Sequence, residues 1–443
     1  MSRGAFTREG YKKTELGWIP EDWEVKRLGE VAEVYSGGTP STVIREYYGG
    51  EIPWINSGDL NKTKIFSVEG RITELGLRNS SAKIIQPETL LIALYGATAG
   101  VVAISKIEAA INQAVLAIIP RRDFVYFLLH QLIYLQDFIK RTYKQGGQAN
   151  LSGELVKSCP LALPPLPEQK KIAEILSTWD EAIEKLNSYI EAKKKLKKAL
   201  MQKLLTGKQR IKESIVREGY KKTELGWIPE DWEVKRFDEV FSFLKVEPLS
   251  REALTDKDND LGIYNIHYGD LHATYKSELL DFDKEKRVPR IKDSVILSHN
   301  LNFLEEGDLV IADVSEDYLG IGTCIELKNV KERKILGGLH TFSVRDCSKK
   351  TAEGFRVYLL KSFEVLTALK RIATGVSVYG ISKTNLSRIK IPLPPLAEQK
   401  KIAEILSKAD EGIDLLNQEL EKLKIQKKGL MQKLLTGVWR VKL

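Results

Sequence analysis

From residue 172 onward, apolar positions recur at a helical step. Ile172, Ile175, Leu176, Trp179, Ile183, Leu186 and Ile190 follow one another every three or four residues, and Leu196, Leu200 and Leu204 continue the stripe. The prolines of "LPPLPEQKKIAEILS" (163–177) stand before it, where a helix can begin, and Gly207 stands where one can stop. The pattern returns at Ile402, Ile405, Leu406, Ala409, Ile413, Leu416, Leu420, Leu423, Leu430 and Leu434, closed by Gly437. Each stripe predicts a helix of about 38 residues, roughly 57 Å long. That is far beyond an ordinary globular helix and points to a coiled coil. Two such helices in one chain pair most simply with each other, antiparallel about a pseudo-twofold axis, with the intervening segments at opposite ends.

The intervening segments carry a different period. Short apolar runs such as "TLLIALYG", "QAVLAIIP", "DLVIADV" and "TCIEL" predict strands. Residues 124–143 and 354–373 each predict a helix just before the last loop of their segment. The longest apolar run, "LLIALYGATAGVVAI", is too short to cross a bilayer and predicts strands around a glycine-containing turn.

The chain is a tandem duplication. "REGYKKTELGWIPEDWEVKR" occupies 8–27 and recurs unchanged at 217–236, an offset of 209. "LPPLPEQKKIAEILS" returns as "LPPLAEQKKIAEILS" (393–407), an offset of 230, and "MQKLLTG" (201–207) returns at 431–437. A repeat of this length is no solenoid unit. Between the matching frames the sequences diverge, leaving echoes such as "INSGDL" (55–60) against "IHYGDL" (266–271) and "LLIA" (90–93) against "LVIA" (309–312). Like frames around unlike inserts suggest one partner contacted twice and two different targets.

Composition narrows the class. Of 443 residues, 43% are hydrophobic and 29% charged, which describes a globular chain able to bury two or three cores. The formal charge of +9 hints at a polyanionic partner. Three scattered cysteines (Cys159, Cys324, Cys347) exclude a disulfide framework, and "MSRGAFTREGYKK" lacks an apolar signal core, so a cytoplasmic protein is expected.

Catalytic motifs are missing. There is no phosphate loop, no "NPPY"-like adenine methyltransferase motif, and no metal spacing among the five histidines. "GATAG" (96–100) is too weak for a nucleotide loop. "DEAI" (180–183) lies on an amphipathic helix, where its acids are expected on a solvated face. "PEDWEVK" (20–26) has a nuclease-like Glu-x-Lys without an additional acid at a strand start. A DNA-reading scaffold, an enzyme with cryptic nuclease chemistry and a protein-only tethering adaptor remain in view. Cleavage or methyl transfer by the isolated chain would separate the first two.

The order of half-repeats, "GGTPSTVIREYYGGEIPWINSGDL" (37–60) and the doubled "LPPLxEQKKIAEIL" resemble the specificity subunit of type I restriction–modification enzymes, over essentially the whole chain. The resemblance implies an α+β fold: two mixed α/β target recognition domains (1–162 and 213–392) separated by two long conserved helices (163–212 and 393–443) forming an antiparallel coiled coil that acts as a spacer. It implies double-stranded DNA, two methyltransferase subunits and up to two motor–nuclease subunits as partners. It implies no cofactor on this chain, S-adenosylmethionine, ATP and Mg²⁺ belonging to the partners. The second domain lacks the Gly-Gly-Thr-Pro opening and implies a different target class.

Base reading needs groups that reach groove edges, and phosphate contact needs cations, hydroxyls or amides. In the first domain the candidates are Thr39, Ser41, Tyr47, Tyr48, Asn56, Ser57, Asp59, Lys62 and Lys64, with Lys144, Gln145, Gln148 and Asn150 in a second, glycine-bearing loop. In the second domain they are His267, Tyr268, Asp270, His272, Tyr275, His299, Asn300, Ser377 and Tyr379. Asp59 and Asp270 fall at equivalent places and would either accept from a cytosine amino group or brace a loop. Trp54 is expected in the core. Trp18, Glu21 and Trp23, with Trp227, Glu230 and Trp232, are the candidates for seating a partner, the tryptophans partly anchoring the segment to its own domain.

Overall fold

The computed structural model describes residues 9–142, 150–215 and 217–442. The chain forms two compact units, Met1–Leu186 with Leu420–Leu443, and Asn187–Glu419.

The first unit is built around a five-stranded sheet in the order Ala32–Ser36, Val115–Pro120, Leu90–Ala93, Val102–Ser105, Lys64–Ile65. Its central strands are almost uniformly apolar because both faces are buried. Leu90, Ile92, Ile104, Leu116 and Ile118 point into the core shared with the helix Val125–Thr142. Leu91, Ala93, Ala103, Val115 and Ala117 point the other way. That second face packs with Ile55, Ile85, Ala109 and Ile111 of a four-stranded sheet ordered Arg71–Ile72, Tyr48–Ile55, Ala109–Ile111, Lys83–Ile85. The period-two division between two cores is what the uninterrupted runs encode.

The second unit repeats the plan despite its divergent sequence. Its five-stranded sheet runs Phe241–Leu244, Thr341–Asp346, Leu309–Ala312, Cys324–Lys328, Leu279–Asp281. Leu309 and Ile311 face one core, Val310 and Ala312 the other. In both units the strand that precedes the "INSGDL" or "IHYGDL" echo lies parallel to its neighbour, Ile55 opposite Ile111 and Ile266 opposite Gly337.

The stretch 354–373 departs from the expected single helix. It forms Arg356–Leu360 and Phe363–Ile372, broken where the Ser362 side chain accepts from the Val365 N–H and caps the second piece. Cys159, Cys324 and Cys347 are free thiols. Among the described residues, no helix is long and apolar enough to cross a membrane.

The two stripes are helices of 40 and 39 residues, Leu166–Leu205 and Leu396–Leu434. Gly207 and Gly437, each at φ +70°, take the left-handed conformation just beyond the helix ends. Within the first unit Glu168 pairs with Arg440 and Asp180 with Lys427. Within the second, Lys197 pairs with Asp410 and Arg210 with Glu398. In each unit one residue number rises as its partner's falls, so the helical segments run antiparallel there. Asp180 is therefore not on a freely solvated face. It is held by Lys427 and lies 3.8 Å from His130 Nδ1.

Candidate nucleic-acid interface

In the first unit, strand ends and loops bring several polar groups together. The strand Tyr48–Ile55 leads into a short 3₁₀ turn, Ser57–Asn61. Asp59 Oδ2 accepts from the Asn56 N–H at 2.8 Å, which makes Asp59 the brace of this turn. Asn56 Oδ1 accepts from Asn112 Nδ2 at 2.9 Å, and the Thr39 hydroxyl donates to Gln113 Oε1. Thr39 is positioned by its own glycines. A Cβ on Gly37 would meet the Ile111 carbonyl at 1.9 Å, and one on Gly38 would meet Ser81 Oγ at 2.0 Å, so this backbone lies too close to its neighbours for any side chain.

The other candidates of this unit divide. Ser41 and Lys62 are exposed, and Ser57 and Tyr47 half-buried. Tyr48 is structural: its hydroxyl donates to the Pro40 carbonyl at 2.5 Å, its ring meets Trp54 edge-on, and burial pushes its hydroxyl pKa up. Trp54 donates to the Gly38 carbonyl at 3.3 Å and so belongs to the scaffold. Lys64 sits on the edge strand of the large sheet, where its charge acts on Glu88 and on His130 of the helix Val125–Thr142. Asn150 is exposed, whereas Lys144, Gln145 and Gln148 lie outside the described residues.

The second unit presents the corresponding loops. His267 caps the helix Tyr268–Ala273, its Nδ1 accepting from the Gly269 N–H at 3.1 Å. Burial holds the His267 pKa down. Tyr268 touches three imidazoles, with ring centres 4.8 Å from His267, 6.5 Å from His272 and 5.3 Å from His340. His272 Nε2 lies 3.1 Å from the Val314 carbonyl, and the Tyr268 N–H donates to the Leu339 carbonyl at 3.3 Å. These contacts tie three loops into one face.

Two candidates there take other roles. Asp270 is buried, receives Arg251 Nη1 at 2.7 Å and accepts from the Thr274 hydroxyl at 3.2 Å, so it braces the loop instead of facing outward. Tyr275 is a core residue, packed among Leu271, Leu280 and Phe282, and burial raises its pKa. The base contact expected of Tyr275 is replaced by packing. His299, Asn300 and Ser377 are exposed, and Tyr379 stacks edge-on with Tyr318 at 5.6 Å.

The repeated 20-residue segment closes a joint. In the first unit Trp23 is fully buried and donates to Glu168 Oε2 at 3.2 Å. Arg440 reaches the same carboxylate at 2.8 and 2.9 Å and Asp22 at 2.7 and 3.0 Å. The Tyr11 hydroxyl donates to the Gly437 carbonyl at 2.9 Å. In the second unit Trp232, Glu398, Arg210, Asp231, Tyr220 and Gly207 make the same set. Trp23 and Trp232 are thus inside the joint, which corrects their assignment to a partner surface. Trp18 is half-buried, Trp227 and Glu21 are exposed, and Glu230 is half-buried.

Several residues of these faces carry no sequence motif. Asn112 and Gln113 enter because the loop after Ala109–Ile111 lies beside Asn56 and Thr39. His340 and Asp313 enter because the loop after Lys334–Gly337 occupies the same place in the second unit.

The two units share a plan and differ in their loop side chains, and comparison with known proteins matches this doubling. The family model for the type I restriction modification DNA specificity domain matches twice, at residues 20–194 and 229–425. The chain belongs to this family. Two relatives from Methanocaldococcus jannaschii match from end to end. The type I restriction enzyme MjaVIII specificity subunit is 29% identical, covering 99% of this chain and 97% of its own. The putative MjaX specificity subunit is 30% identical, covering 99% and 98%. Among solved structures, the S subunit of a type I system from M. genitalium aligns with a TM-score of 0.56 at 17% identity, over 93% of this chain and 96% of that one. A chain from a study of assembly and conformational transition in the type I system aligns with a TM-score of 0.55, also at 17% identity, over 95% and 99%. At such identities the structural likeness is one of fold.

Proposed function

We propose that this chain is the DNA-specificity subunit of a type I restriction–modification complex and has no catalytic centre of its own. The recognition domains, residues 1–162 and 213–392, each read one half of a bipartite duplex site. The helical segments 163–212 and 393–443 set the spacing between the halves. The accessible parts of the repeated segment, Trp18, Glu21, Trp227 and Glu230, seat two methyltransferase subunits, and up to two motor–nuclease subunits join them. S-adenosylmethionine, ATP and Mg²⁺ belong to those partners.

The observation that carries this reading is the pairing of one scaffold with two unlike loop sets. The Asn56–Asn112 and Thr39–Gln113 contacts of the first unit have no chemical likeness to the Tyr268–histidine cluster of the second. A chain that bound one target twice would have no reason to differ there while keeping its joints the same.

The test is to exchange residues 28–162 for the corresponding segment of a related subunit and map methylated sites made by the assembled complex. One half-site should change and the other persist. A change in both halves, or in neither, would sink the modular reading.

A further inference from the structure

Corresponding positions in the two units separate what the scaffold requires from what a target requires. In the first unit the Leu94 N–H donates to the Ala114 carbonyl at 2.8 Å, and Leu94 is buried. In the second unit the Asp313 N–H donates to the His340 carbonyl at 3.2 Å. The neighbouring bonds confirm the correspondence, since the Asn112 N–H donates to the Ile55 carbonyl and the Gly338 N–H to the Ile266 carbonyl. The backbone bond that the fold uses here asks only for a carbonyl at residue 340, the role an alanine carbonyl fills in the first unit. Where the first unit has leucine and alanine, the second has aspartate and histidine, and they face each other with Asp313 Oδ1 3.4 Å from His340 Nδ1.

His340 is also held in a conformation that side chains avoid. Its φ is +55°, in the left-handed region. Non-glycine residues persist there when something else fixes them. Here Asp313 faces one ring nitrogen, and the Tyr268 ring stands edge-on against the imidazole at an interplanar angle of 82°. About half of the His340 side chain stays open (47%).

We infer that His340 is a specificity-determining residue of the second half-site, offering Nε2 to a base edge while Asp313 and Tyr268 fix its ring. The inference rests on the DNA-specificity reading above. One hydrogen bond from a side chain held rigidly at a base edge should give about tenfold discrimination against the wrong base.

The test uses the complete methyltransferase complex and a duplex library randomised across the second half-site. His340→Gly should fold with an unchanged or higher melting temperature, because glycine accepts a positive φ. It should lose about tenfold of its preference at one base pair of that half-site and leave the first half-site untouched. Asp313→Leu with His340→Ala, which installs the pair found in the first unit, should lose the same base preference, although alanine at this positive φ lowers the melting temperature. A variant that keeps every base preference overturns the inference, whether or not its stability falls. If the wild-type complex yields no bipartite motif, the specificity reading fails first, and this inference with it.

Discussion

Arg440 grips Glu168 from 272 positions away, with Nε at 2.8 Å from Oε1 and Nη2 at 2.9 Å from Oε2. Arg210 grips Glu398 in the same two-pronged way. Each carboxylate also accepts from a buried tryptophan, Trp23 or Trp232. Each joint is made of three pieces: the repeated segment, the start of one long helix and the end of the other. This accounts for the recurrence of Tyr11, Pro20, Asp22 and Trp23 as Tyr220, Pro229, Asp231 and Trp232. Whatever lies between the matching frames, the same tryptophan, aspartate and proline must meet the same helix ends.

The two joints should differ in strength. Glu398 and Arg210 are both nearly inaccessible, with side chains 0% and 11% exposed, whereas Arg440 is 44% exposed. Removing one partner of a buried pair costs about 3–5 kcal/mol, and solvent screens an open pair toward about 1 kcal/mol or less. Glu398→Ala should therefore destabilise the second unit more than Glu168→Ala destabilises the first. Hydrogen exchange on the helix starts, measured unit by unit, checks the order. Equal losses of protection would deny the role of burial.

The glycines that end the helices are tied to the same joints. A Cβ on Gly437 would come within 2.4 Å of Pro20 Cδ, and one on Gly207 within 2.3 Å of Pro229 Cγ, with φ positive at both. Alanine there meets two penalties at once, the strained backbone and the proline ring. Gly437→Ala and Gly207→Ala should each cost about 1–3 kcal/mol. Alanine at Gly412, a helical glycine with open space around its Cβ position, should stabilise by about 0.5–1 kcal/mol. Denaturant midpoints of the three variants give the comparison.

How much of this was legible depends on where the determining contacts lie along the chain. The long helices could be read because their apolar stripe is continuous and local. The central strands could be read because burial on both faces leaves runs such as Leu90–Ala93 uniformly apolar. The break at Ser362 was hidden, since a helical stripe continues through a residue whose cap acts only on its own backbone. The sequence leaves Trp23 between an anchor and a partner seat because charges surround it, and Glu168, which accepts its N–H and decides for the anchor, lies 145 positions away. Asp313 and His340 meet only because their two strands are neighbours in the sheet.

His130 should leave a signature in acid. Burial, with Lys427 and Lys64 nearby, pushes its pKa down to about 3 from 6.5. Above pH 6.5 the ring is neutral in both folded and unfolded chains, and the shift has no effect. As pH falls below 6.5 the unfolded chain takes up a proton that the folded chain refuses until about pH 3, so stability is lost through that window. The slope approaches about 1.4 kcal/mol per pH unit. Between pH 6.5 and 5, wild type should lose up to about 2 kcal/mol more than His130→Leu. Protection of the helix Val125–Thr142 in both proteins reports the difference. Parallel pH profiles would mean that folded and unfolded chains take up the His130 proton over the same pH range.

The last prediction treats the helices as a ruler. Ser188 and Gln418 are equivalent positions in the two long helices, 230 residues apart like the rest of that repeat. Four residues inserted after each would lengthen both helices by about 6 Å and add about 40° beyond a full turn. Duplex DNA rises about 3.4 Å per base pair and turns once in about 10.5 pairs, or about 34° each. The added rotation matches one base pair, and the added rise, if fully parallel to the duplex, nearly two. If the helices set the spacing, mapped methylation sites should keep both half-sites and gain one or two pairs between them. Matched insertion leaves the antiparallel register within each unit unchanged, so loss of folding is not the expected cost. If the partner subunits set the spacing instead, the active variant would methylate sites with the original separation, and the helices would be fasteners only.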